Sequence, residues 1–160
     1  MPILPVTLLD LDATRVAYLR QTGPYGPAIA GLWQRFMAWC GGAGLLNPRP
    51  ALYGVALDNP EVTAPERCRY DACIEAAADF RPTGEIGIQT LPGGRYACAE
   101  FIGSATEVSA AWQWLCGEWI AGSGLQFDDR PVFERYPADW SQDPEGGRFH
   151  CQLCIPVRPL

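Results

Sequence analysis

Three short segments of this chain recur in the same order at almost one spacing. "WCGGAGL" (39–45) matches "WIAGSGL" (119–125) 80 positions on, and "RPALYG" (49–54) matches "RPVFER" (130–135) 81 positions on. "ACI" (72–74) matches "LCI" (153–155), again 81 positions on. No other feature limits the fold as much, because the chain must then be two copies of one unit, spanning approximately 15–76 and 96–157. Each copy alone offers one helix and a small sheet, too little apolar surface to fold by itself. The copies are expected to pack about a pseudo-twofold axis with a central groove, a common place for a ligand.

Local patterns fill in each copy. "RVAYLRQTG" (15–23) reads as a strand. "PAIAGLWQRFMAWC" (27–40) reads as a helix opened by Pro27, with Ile29, Leu32, Trp33, Phe36 and Cys40 on one face and "GGAG" (41–44) ending it. Strands follow at 51–58 and 69–76, with the loop 59–66 between them. In the second copy "YACAEFIG" (96–103) is a strand and 105–122 a helix, for which Thr106 and Ser109 give a partial N-cap signal. Strands at 130–137 and 148–157 flank the loop 138–147. The link 78–94 is rich in Gly and Pro and holds a short strand near Ile86–Leu91. The order strand, helix, strand, strand thus occurs twice, giving an α+β class with an antiparallel sheet and two main helices.

Bulk composition excludes several roles. Apolar residues make up 48% and charged residues 19%, so the chain is globular. The net charge is −6 with no Lys/Arg run, so direct nucleic-acid binding and anionic membranes are not expected. A cationic or neutral ligand is compatible with that balance. No apolar run reaches the length of a membrane span, and "MPILPVTLLD" lacks the basic and apolar regions of a signal peptide. The seven cysteines are irregularly spaced and several lie in apolar runs, which points to a reduced, cytoplasmic setting.

The pattern that asks for an explanation is "VFERYPADW" (132–140). Period 2 places Val132, Glu134 and Tyr136 on one face of the strand, with Phe133 and Arg135 on the other. With Phe133 toward the core, Glu134 and Tyr136 look the opposite way, at solvent or at a ligand. A half-buried carboxylate among rings attracts a cation. Tyr53 is the repeat partner of Glu134 at offset 81 and a candidate for the opposite wall of the groove. Trp112 fits the core face of the second helix, with Val108, Ala111, Leu115 and Trp119. Trp114 lies about 200° round from Trp112, so it either forms a pocket wall or interface or packs, like Trp140, under the 138–147 loop. Asp71 reads as a solvated strand residue. Cys151-Gln-Leu-Cys154 is a lone CxxC, and the single histidine, His150, points away from Cys151 on a strand, so the cysteines read as structural and no metal or cofactor is expected. "PGG" and "GGAG" lack a phosphate-loop frame.

Five stretches in order, "VAYLRQTGPYGPAIAGLWQRFMAW", "RYDACIEA", "GRYACAEFIGS", "PVFERYPAD" and "LCIPV", resemble the GyrI-like effector-binding domain that also ends many AraC-type and multidrug-responsive regulators. The resemblance covers nearly the whole chain. It implies two strand–helix–strand–strand (SHS2) modules and a central groove for amphipathic, often cationic, small molecules, with an acidic residue at its floor where this chain has Glu134. The chain resembles standalone members, with no helix-turn-helix on either side. For such members the resemblance implies three roles: binding toxic small molecules, hydrolysing strained cyclopropane-type electrophiles with the same Glu134 as acid or base, or inhibiting DNA gyrase. DNA gyrase or a transcription regulator is then the macromolecular partner.

Overall fold

The computed structural model of the chain describes residues 4–138 and 148–160. The loop read at 138–147, from 139 on, and Trp140 lie outside the described residues. The chain divides into two compact units, one made of Ala13–Pro92 and the other of Met1–Asp12 with Gly93–Leu160.

In the Ala13–Pro92 unit the strands are β2 (Thr14–Thr22), β3 (Leu52–Ala56), β4 (Arg69–Glu75) and β5 (Gly87–Leu91), antiparallel in the order β3-β4-β2-β5. Helix α1 (Pro27–Gly42) starts on Pro27, whose missing N–H costs nothing in the first turn, and buries Leu32, Phe36 and Cys40. Burying Leu32 and Phe36 stabilises by about 1.5–3 kcal/mol each. Trp33 is half-buried, packs edge-on to Phe36 and donates its Nε1–H to the Tyr70 hydroxyl at 3.1 Å, so Tyr70 stands on the helix side of β4.

The other unit contains β1 (Val6–Leu11), β6 (Gly94–Ser104), β8 (Val132–Tyr136) and β9 (Arg148–Pro159), antiparallel in the order β1-β6-β9-β8, with the short β7 (Leu125–Phe127) beside the end of β9. Helix α2 (Ala105–Trp114) passes through a π-helical turn at Leu115–Trp119 into a last short turn, α3 (Ile120–Gly122). Its N-cap is Ser104: the side chain accepts from the Glu107 N–H, and the Glu107 carboxylate accepts from the Ser104 N–H at 3.1 Å. This capping box, S-x-x-E at 104–107, replaces the expected signal at Thr106 and Ser109.

Two strands escaped the sequence reading, β1 and β7. β1 and β5 are repeat equivalents, starting 81 positions apart (87 − 6), yet neither pairs with the strand that follows it. β1 pairs with β6 and β5 with β2. Turn chemistry accounts for this. A two-residue hairpin needs φ above zero at its first central position. In the connection Pro92-Gly93, Pro92 cannot reach positive φ, and the connection Asp12-Ala13 lacks the glycine that both favoured hairpin turns use, since Ala13 resists the positive φ a type I′ turn needs at its second position; no residue other than glycine has positive φ among the described residues. Each connection therefore carries the chain onward from one unit to the other.

Candidate functional site

The registers fix which way the β8 side chains point. Phe133 lies opposite Cys154, Glu134 opposite Leu153 and Arg135 opposite Gln152. Leu153 belongs to the cluster under α2, with Ala97, Ala99, Phe101, Ala111, Trp114 and Leu115, and Val132 and Tyr136 pack against that cluster. Glu134 therefore stands on the helix-bearing face. This corrects the expectation that Phe133 would take that face. Phe133 is buried instead on the helix-free face, 5.1 Å from the Tyr96 ring. The helix-free side of Tyr96 is closed by the Arg130 guanidinium, 4.5 Å from the ring centre and bonded to the carbonyls of Gly93 and Arg95.

Glu134 is half-buried and accepts a hydrogen bond from the Tyr136 hydroxyl at 3.4 Å, long for an O–H···O contact. Tyr136 neighbours Phe149 at 6.2 Å, and Phe149 neighbours Phe101 at 5.6 Å, so the carboxylate borders a run of three rings. Its charge reaches the inert Cys151 thiol on the same face: burial pushes that thiol up, and Glu134 adds to the shift.

Trp114 is buried, 8% exposed, and stands on the core face of α2, where the expected stripe through Trp112 does not place it. The inward face of α2 centres on Ala111, Trp114 and Leu115, with Val108, Trp112 and Trp119 half-buried at its margin, about 60° round from the expected stripe. Outside, Trp114 lines a surface depression of about 170 Å³ with Ala110, Gln113 and Glu118. That is below the roughly 300–1,000 Å³ of a drug-sized pocket, room for part of a ligand only. Glu118, one turn beyond Trp114, is an acid the sequence reading passed over; its i, i+4 spacing from Trp114 was the available signal.

Tyr53 is buried in the other unit, opposite Cys73 and so on the helix-free side of β3. Cys73 and Cys154 are repeat equivalents, and they face Tyr53 and Phe133. The counterpart of Tyr53 is thus Phe133, and that of Glu134 is Gly54. The apparent match at offset 81 slips by one because β3 and β8 are related by 80 (133 − 53) while β4 and β9 are related by 81 (154 − 73). The structure therefore brings together Glu134 and Tyr136, beside a cluster that includes Trp112 and Trp114, and sets Tyr53 on a different kind of face.

Asp71 corrects another expectation. It is fully buried, and it holds Arg20 in a two-pronged pair: Nε to Oδ1 at 2.8 Å and Nη2 to Oδ2 at 2.9 Å. Gln89 donates to Oδ2 at 2.8 Å. The opposite unit solves the same place differently: Gln152 stands for Asp71, accepts from Arg135 at 3.0 Å and donates to Glu100 at 3.4 Å, and His150 Nε2 lies 3.0 Å from Glu100. Among the described residues no three His, Cys, Asp or Glu side chains converge as a metal site, and no helix is long and apolar enough to cross a membrane.

Residues 4–158 match the GyrI-like small molecule binding domain. The chain belongs to the GyrI-like family. A DNA gyrase inhibitor of Edwardsiella piscicida is 33% identical over 159 residues, covering 97% of this chain and 99% of that protein. Among solved structures, the EcmrR C-terminal domain superposes with a TM-score of 0.74 at 12% identity, covering 99% of this chain and all of that one. SAV2435 bound to tetraphenylphosphonium superposes with a TM-score of 0.67 at 17% identity, covering 97% and 94%. At such identities the structural likeness is one of GyrI-like fold.

Proposed function

We propose that this GyrI-like chain binds amphipathic cations, with Glu134 as the counter-charge and Tyr136, Trp112 and Trp114 as the nearby apolar and ring surface. The observation that carries the reading is the position of Glu134: a half-buried carboxylate on the helix-bearing face, between two residues packed against the Trp114 cluster. A delocalised cation with apolar arms suits this setting, because rings attract it by their faces and it loses little hydration on entry. The net charge of −6 draws cations toward the protein at long range. SAV2435, of the same fold, is bound to tetraphenylphosphonium, a cation of this kind.

Tetraphenylphosphonium titrated against tryptophan fluorescence tests it. A carboxylate about 6 Å from a cation in partly screened surroundings contributes about 2 kcal/mol, so Glu134→Gln is expected to weaken binding roughly 30-fold without moving the urea midpoint. Equal affinity for both proteins would sink the assignment of Glu134. A second reading, inhibition of DNA gyrase, is favoured by the relative of that name matched across nearly its whole length. A supercoiling assay with purified gyrase decides it: unchanged supercoiling at saturating protein removes this reading.

A further inference from the structure

The helix-free face of the unit that contains β6 and β9 carries two cysteines, Cys98 and Cys154, directly opposite each other. The ladder fixes their geometry. Glu100 donates its backbone N–H to the Pro5 carbonyl, on the β1 side. Backbone groups alternate in direction along a strand, so Cys98, two residues earlier, also turns its N–H and C=O toward β1. Cys98 and Cys154 are then a non-hydrogen-bonded pair, the closer of the two antiparallel pair types, with Cα atoms about 4.5 Å apart. That separation lies inside the range a disulfide spans, about 4.4–6.8 Å. Directly opposite residues of a ladder share one face, so the two thiols stand side by side, with Cys154 Sγ also 3.9 Å from the Gln152 carbonyl. The equivalent place in the other unit pairs Cys73 with Tyr18, so the shared architecture does not require a dithiol here.

The geometry points to Cys98 and Cys154 as a peroxide-oxidisable dithiol that closes into a cross-strand disulfide. Roles within the pair follow from the surroundings. The Cys154 hydrogen bond holds the Cys98 thiol below its ordinary value, with help from the Arg135 charge, while burial and the same bond push Cys154 up. Burial pushes Cys40 up to about 12 and Cys116 up to about 11, and raises Cys68, Cys73 and Cys151 as well. Cys98 therefore ionises first, and the thiolate is the nucleophile. It attacks one oxygen of a hydroperoxide: an S–O bond forms, the O–O bond breaks, and the alcohol or water leaves with a solvent proton. Cys154 then gives its proton to solvent and its sulfur displaces hydroxide from the Cys98 sulfenic acid, which departs as water. Two thiols supply the two electrons that one peroxide takes up.

The test treats the reduced, folded protein with hydrogen peroxide, blocks remaining thiols and maps the peptides. The expected result is loss of two hydrogens from the intact mass, a Cys98–Cys154 linked peptide, and reversal by dithiothreitol. Cys154→Ser is expected to accumulate a dimedone-trapped sulfenic acid at Cys98. The inference is overturned if Cys98 stays open to alkylation after wild-type treatment, or if the linkage joins other cysteines. Wild-type mapping decides the matter even where a variant folds poorly.

Discussion

Replacing Arg20 by methionine leaves the Asp71 carboxylate, 0% exposed, with Gln89 as its remaining side-chain donor in the Arg20–Asp71–Gln89 group. Two charge-assisted bonds disappear, each worth about 1.5–3 kcal/mol. Loss of one partner from a fully buried pair costs about 3–5 kcal/mol. Arg20 is itself 36% exposed, so water reaches the vacated side and the expected cost falls to about 2–4 kcal/mol. At a urea m-value of about 2 kcal/mol/M, the midpoint drops by about 1–2 M. Equilibrium urea unfolding followed by circular dichroism measures it. The double variant Arg20→Met/Asp71→Leu removes the stranded charge and should recover at least half the loss. It stops short of full recovery, because the Gln89 amide then keeps only the Cys73 sulfur at 3.9 Å from this group. A single-variant loss below about 0.5 kcal/mol, or a double variant no better than the single, would refute the reasoning that this carboxylate is sealed in and depends on Arg20.

Further expectations concern other parts of the chain. Ser104→Ala removes the cap of α2 and should cost about 1 kcal/mol in urea unfolding. Gly94 has φ +133°, and a Cβ there would lie 2.5 Å from the Arg130 guanidinium. Gly94→Ala should therefore cost about 1–2 kcal/mol and shift the Tyr96 ring resonances as Arg130 moves off the ring. The Asp58 carboxylate accepts from Arg69 Nε at 2.9 Å and Nη2 at 3.0 Å, which holds its pKa below the ordinary value. A lowered carboxyl pKa stabilises the fold above the unfolded value and ceases to do so as pH falls through the folded one. Stability should thus decline below about pH 4, with a shallower acid limb in Asp58→Asn.

Much of the fold was legible because local rules and tertiary structure agree. Pro27 and the glycines at 41–44 bracket α1, the stripe Leu32, Phe36 and Cys40 is the one buried, and the duplicated segments place the two helices and most strands. Orientation was not legible. Val55, Asp71, Cys73, Tyr96 and Cys154 on helix-free faces are buried, as are Leu52, Ala72, Ala97 and Leu153 on helix-bearing ones. A strand buried on both sides gives no polar alternation to show which face meets a helix, so Glu134 was assigned to the wrong face and Asp71 to solvent. The partner of Asp71 stands 51 positions away on another strand, beyond any local pattern. Trp114 was named as a candidate but set off the core face, because the expected stripe centres on Trp112, whereas the inward face of α2 centres on Ala111, Trp114 and Leu115. β1 was missed because its pairing partner begins 83 positions after it ends (94 − 11).

The crossing of β1 and β5 also bears on how such a chain could arise. A single-repeat ancestor would carry a β1 that its own turn cannot fold back, and a β2 with one side open. Two such chains could satisfy both by trading first strands, as β1 and β5 do between the repeats here. The same pairing makes β1 the one strand of its sheet that a fragment of residues 93–160 would lack, and a peptide carrying Val6–Leu11 is the strand that would fill the place.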